Sequence, residues 1–148
     1  MRKSIIVVLT VFLVSIPAAG VAAFAGGDGS PATPYKITNC DQLQEVTNNL
    51  SANYVLANDV DCSDTVNWNF EEGAFRGFAP IGWEFNGEPP FIGTFDGQGH
   101  KITDLFINGP MAPAPWNAPH YVGLFGLALK SAIIKNVYAI FRNLYAPL

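Results

Sequence analysis

The chain has 148 residues, with 8 basic and 12 acidic side chains and a formal net charge of −4. One domain fits this length, and no basic patch is available to attract nucleic acid or an anionic lipid surface. With 14 Gly and 11 Pro, and few strong helix formers after the first residues, the composition suits short strands joined by tight turns.

The first segment reads as an export signal. Arg2 and Lys3 precede an apolar run from Ile5 to Ile16, Pro17 breaks that run, and small residues stand at Ala23 and Ala25. A charged start, a short apolar middle and an Ala-x-Ala ending describe a secretory signal peptide over residues 1–25, cut after Ala25. The uncharged stretch from Ser4 to Gly27 is also long enough to span a bilayer, so a retained anchor is the alternative. The expected location is secreted or cell-surface. Removing Arg2 and Lys3 leaves 6 basic residues against 12 acidic ones, a net charge near −6.

Residues 26–34, "GGDGSPATP", read as a linker, and Tyr35 opens the domain with the short strand "YKI". In "NCDQLQEVTNNL", Cys40, Leu43, Val46, Thr47 and Leu50 fall at helical spacing. Asn39 caps this helix and Gln42 completes a capping-box-like start, which predicts about ten helical residues. From Tyr54 onward the pattern becomes short apolar runs punctuated by Asn, Asp and Gly: "YVLANDVDC", "PIGW", "FIGTFDG", "HKITDLFI", "YVGLFG" and "AIIKNVYAI". Two inserts, Asn67 to Pro90 and Gly109 to His120, interrupt the series and are expected to project from it.

Cys40 and Cys62 are the two cysteines. In an exported chain such a pair most simply forms a disulfide. No second Cys or His lies at zinc-ligand spacing from either, and no neighbouring His or cation activates a thiolate.

A repeat is visible. "GTFDG" (Gly93, Phe95, Gly97) aligns with "GLFG" (Gly123, Leu124, Phe125, Gly126), and "HKITDLF" aligns with "AIIKNVY", setting Asp104 against Asn136. Units of this size with Gly corners bury their apolar faces by stacking on one another. Phe95 and Phe125 are then expected as stacked core aromatics beside sharp bends.

Together, "YKITNCDQLQ", "NYVLANDVDCSD", "FAPIG", "FIGTFDGQGHKITDLFING" and "VGLFG…IIKNV" resemble the secreted and cell-surface prokaryotic proteins that carry GLUG-type repeats. The match runs from Tyr35 to Val137. It implies an all-β fold, a right-handed parallel β-helix, over residues 35–148, with the short helix near Leu43 as an N-terminal cap. It also implies a structural or adhesive role, with a glycan or protein ligand and no cofactor. Relatives of this type run through more coils. Here the chain reaches "NVYAIFRNLYAPL" where a third coil is expected, so the β-helix reads as truncated, with an open C-terminal edge prone to self-association; a fragment of a longer surface protein with no function of its own is the further alternative.

Several residues invite chemical readings. Asp96 and His100 in "DGQGH" could form an acid–base pair on a sugar, as in polysaccharide lyases or glycoside hydrolases built on β-helices. Neither the second placed carboxylate of a hydrolase nor the base with a cation or metal of a lyase is evident in the pattern, and Gly97 and Gly99 mark a turn in which Asp serves the backbone. Asp59, Asp61 and Asp64 offer oxygen ligands for calcium, but without the Gly and distal Glu of an EF-hand loop. Trp68, Trp83, Trp116 and Tyr121 lie in or beside the inserts, where they either stack on a ligand or pin the loops to the core.

Overall fold

A computed structural model describes residues 23–71, 73–82, 89–108 and 123–142. Residues 1–22, which hold most of the expected export signal, lie outside the described residues, as do Trp83, Trp116 and Tyr121.

The described chain is mostly strand, with one short helix. Its strands are β1 (Tyr35–Ile37), β2 (Asn53–Leu56), β3 (Val60–Asp61), β4 (Phe70–Glu71), β5 (Ala74–Phe75), β6 (Thr94–Asp96), β7 (Lys101–Leu105), β8 (Ile133–Lys135) and β9 (Tyr138–Phe141). Two sheets are parallel throughout: one in the order β1-β2-β6-β8, the other in the order β3-β7-β9. β4 and β5 form a separate antiparallel hairpin.

Parallel pairing stacks like side chains on like. In the first sheet Tyr35 pairs with Tyr54, Tyr54 with Phe95, and Phe95 with Ile134. In the second, Val60 pairs with Ile102 and Ile102 with Ala139. Alternation buries Tyr54 and Leu56 on β2, Phe95 on β6 and Val60 on β3; the register shift in β7 lets both Ile102 and Leu105 turn inward, while Ile134, on the outermost strand, stays 40% exposed. Phe125 joins edge-on to Phe95, with ring centroids 5.4 Å apart, and also packs on Phe91 at 5.2 Å.

The stacking register corrects the repeat read from sequence. Thr94, Phe95 and Asp96 lie against Ile133, Ile134 and Lys135, not against the Gly123–Gly126 segment. That segment sits elsewhere, with Phe125 bridging to Ile81. Ile102 stacks on Ala139 rather than on Ile134. Asp104 and Asn136 are both left-handed, with φ of 56° and 52°, but they do not stack. Asp104 lies where the register shifts between Ile102 and Leu105, whereas the Asn136 backbone lies over Gly97. The sequence alignment matched similar words; the backbone spacing is set by the longer loop between stacked strands.

The predicted helix is shorter than its periodicity suggests. The α-helix α1 covers Cys40–Gln44 and tightens into a 3-10 turn at Glu45–Asn48. Asn39 does cap it, its Oδ1 accepting from Gln42 N at 2.9 Å. The reciprocal bond is displaced by one residue, with Gln42 Oε1 accepting from Thr38 N and from the Thr38 hydroxyl. Leu43, Val46 and Leu50 are buried as expected.

The stretch expected as a linker is folded. Asp28 N and Gly29 N donate to Thr33 O, and the Asp28 carboxylate accepts from Ser30 N and the Thr33 hydroxyl. Lys36 N donates to Gly26 O, and Asn53 N donates to Gly29 O. The ordered unit therefore begins upstream of Tyr35.

Cys40 and Cys62 are joined, with Cα atoms 5.2 Å apart and a sequence separation of 22. The bond ties α1 to the end of β3. Replacing both cysteines with alanine is expected to cost about 3 kcal/mol through loop-closure entropy, read as a fall in the urea midpoint that adding reductant to the native chain reproduces. Gly93 and Gly97 approach backbone so closely that an added Cβ would stand 2.0 Å from Ala52 O and 2.1 Å from Asn136 O. Gly93→Ala and Gly97→Ala are each expected to destabilise by about 2–4 kcal/mol, whereas Gly99→Ala, at an open position, pays only the smaller cost of its left-handed backbone.

Candidate functional site

The corner after β6 gathers most of the polar side chains singled out in the sequence. Asp96 ends β6 and is nearly buried. Its Oδ1 accepts from Gln98 N and from Asn136 Nδ2, each at 3.0 Å, and its Oδ2 accepts from Gln98 Nε2 at 2.7 Å. Lys135 Nζ lies 3.2 Å from the same Oδ2. Parallel pairing explains the arrangement, because Asp96 and Lys135 are register partners in adjacent strands. Burial is the largest effect on Asp96 and opposes its charge, but the bonds from Gln98 and Asn136 and the Lys135 ammonium together outweigh it and hold the carboxyl below its ordinary value.

His100 is not part of that cluster. Its Nδ1 lies 3.2 Å from Asp59 Oδ1, and the same oxygen accepts from Lys101 N at 3.0 Å. The Lys101 backbone bond is the main cause that lowers Asp59. Asp96 and His100, neighbours in the sequence, thus serve different partners. A carboxylate that is ionised, buried and engaged by three residues is a poor proton acceptor. The arrangement closes a corner rather than composing an acid–base pair.

The three candidate calcium carboxylates also diverge. Asp59 faces His100 and Lys101, Asp61 accepts from Ser63 N at 2.8 Å, and Asp64 lies in the 3-10 turn Ser63–Asn67. Among the described residues no group of three His, Cys, Asp or Glu side chains is placed to hold a metal ion.

Of the four aromatics proposed for ligand contact, Trp68 is described. It is half-buried against the core, and its backbone extends the base of the β4–β5 hairpin, Gly77 N donating to Trp68 O. Two exposed aromatics stand outside the residues singled out from the sequence. Phe70 and Phe75 pair across the hairpin with ring centroids 4.9 Å apart and remain 63% and 40% exposed. The hairpin is fixed at its root by Asn108, which donates from its side chain to Phe75 O and from its backbone to Arg76 O. The available signal was "FEEGAF", two Phe residues flanking a Glu-Gly turn.

Apolar side chains are also exposed on the last strands. Ile133, Ile134, Tyr138 and Ile140 are each 40% exposed or more. β8 and β9 are the outermost members of their sheets, and among the described residues no strand pairs with their free edges.

The chain is similar to Halomucin of Haloquadratum walsbyi, with 33% identity over 114 residues, which is 75% of this chain and 1% of that protein. It is also similar to a protein of Evansella cellulosilytica whose name describes a Gly-rich membrane protein, with 30% identity over 135 residues, or 90% of this chain and 14% of that one. The chain therefore spans a small fraction of either relative. No family model matches the chain, and no solved structure matches it. Among the described residues no helix is long and apolar enough to cross a membrane.

The corner carboxylates make stability pH-dependent. Hydrogen bonds from the Thr33 hydroxyl and from Ser30 lower Asp28 from 3.8 to about 2, and Asp96 is lowered as well. The unfolded chain binds these protons first as pH falls, so their stabilisation is complete above the ordinary carboxylate range and is lost as pH drops through the folded values. The melting temperature is expected to fall between about pH 4 and pH 2, and less steeply in the Asp28→Asn/Asp96→Asn variant; identical slopes would contradict the assignment. Asp96→Ala leaves its three partners without an acceptor and is expected to cost about 1–3 kcal/mol at pH 7.

Proposed function

We propose that this chain is an exported, cell-surface or extracellular module of the GLUG type, a right-handed parallel β-helix that presents a binding hairpin to a glycan or protein ligand. The observation that carries the reading is the Phe70–Phe75 pair. Two large rings are held in water by a hairpin whose root is bonded to the stack. Exposed aromatic faces stack on sugar rings and anchor protein interfaces, and leaving both in solvent is otherwise unfavourable.

The rest of the molecule supports a display role. The two parallel ladders follow chain order, which is how coils of a β-helix stack. The names of the two relatives, Halomucin and a Gly-rich membrane protein, support a surface or membrane-associated setting. Both relatives are far longer than this chain, which fits a module used within extended surface proteins. The acidic charge disfavours nucleic acid as partner. The exposed apolar edge of β8 and β9 supports association with another coil or another copy of the chain.

The test is binding of the secreted protein to an array of bacterial and plant glycans and to purified cell-envelope fractions. Phe70→Ser/Phe75→Ser is expected to reduce binding at least tenfold while the melting temperature stays within a few degrees. Equal binding by both proteins would sink the hairpin as the contact.

A further inference from the structure

The three residues before Gly26 behave as part of the fold, not as the end of a leader. The Phe24 ring stacks on Tyr35 with centroids 4.5 Å apart and planes inclined by 23°, and it lies 5.6 Å from the Tyr54 ring. It is half-buried against the core cluster. Ala23 O accepts from Gln42 Nε2 at 2.8 Å, and Gln42 is itself buried. Ala25 N donates to Lys36 O at 3.0 Å, the companion of the bond from Lys36 N to Gly26 O. Each contact reaches a residue on β1, on β2 or in the cap.

A cut after Ala25 would remove all of these. Tyr35 would lose the ring stacked on its face. The buried Gln42 amide would lose its acceptor, and a buried donor left unmatched is costly. Gly26, with its free ammonium, would then start beside the first strand, and Lys36 O would lose the donor that Ala25 N supplies. The sequence offers another small-x-small site immediately upstream: Gly20 and Ala22 hold the same relation to the Ala22–Ala23 bond that Ala23 and Ala25 hold to the later one.

We propose that the export signal is removed by hydrolysis of the Ala22–Ala23 peptide bond, so that the mature protein starts at Ala23 and keeps Phe24 as the first rung of its aromatic column. Water supplies the hydroxyl of the new Ala22 carboxyl and the proton of the new Ala23 amine. The proposal rests on the export reading given above, and it moves the processing site by three residues from the one that the Ala-x-Ala pattern alone selects. Phe24 then has two roles in succession: it lies just after the scissile bond in the precursor and caps an apolar face in the product.

The test uses the full chain with its own leader, expressed in a secreting host, and reads the intact mass and N-terminal sequence of the exported protein. The expected product begins Ala23-Phe24-Ala25. A product that begins at Gly26, or at any residue other than Ala23, overturns the proposal while leaving export intact. A chain that keeps Met1 and stays inside the cell overturns the export reading itself. Because a cut alone does not prove that Phe24 is structural, the full chain carrying Phe24→Ala is secreted and melted alongside. Its melting temperature is expected to fall by about 5–10 °C; an unchanged value overturns the role given to the ring.

Discussion

One column of side chains organises the molecule. Tyr35, Tyr54, Phe95 and Ile134 occupy register positions on four successive parallel strands. Parallel pairing gives each strand the same facing and nearly the same height relative to the next, so a large apolar residue on one requires a large apolar residue on its neighbour. A one-residue slip would turn the whole column outward. The second sheet obeys the same rule with smaller residues, Val60, Ile102 and Ala139. The corners, the short helix and the hairpin are arranged around the need to keep these columns in line.

The corners show how that need is met. Tight stacking brings backbone onto backbone, and at Gly93 and Gly97 no side chain would fit beneath the carbonyl above. Among the described residues, where a left-handed turn is not glycine it is Asn69, Gln98, Asp104 or Asn136. Short polar side chains tolerate that conformation better than bulky ones because they bond locally. Asn136 does more than tolerate it: its amide reaches back to Asp96 in the strand below. Polar residues that look catalytic in a one-dimensional reading are in this way consumed by the geometry of the turns.

Much of this was legible in the sequence. The short strands, the Asn39 cap, the cysteine pair and the presence of stacked Gly corners all follow from local chemistry, which local pattern reports well. The register was not legible. It depends on loop lengths between strands, and the words "GTFDG" and "GLFG" look alike although their segments do different jobs. The end of the helix was misjudged because Val46 and Leu50 are buried from a 3-10 turn and a loop as readily as from an α-helix. The Phe70–Phe75 contact was not legible because nothing in "FEEGAF" alone shows that both rings stay in water, whereas Trp68, the larger aromatic beside them, packs against the core. The start of the domain was misplaced because Gly and Pro look like linker, yet "GGDGSPATP" closes on itself through Asp28 and Thr33.

The disulfide has a mechanical consequence. A pull on the C-terminal end would load β8 and β9 first, and then β6 and β7, whose neighbours are held by hydrogen bonds alone. The chain between Cys40 and Cys62 would yield none of its slack, because force passes through the sulfur bridge. For a sequence separation of 22 the withheld contour is roughly 75 Å at full extension. Under such a pull the chain would lengthen from its outer strands while the part nearest α1 stayed short, which makes the α1 end the natural place to tether it against shear.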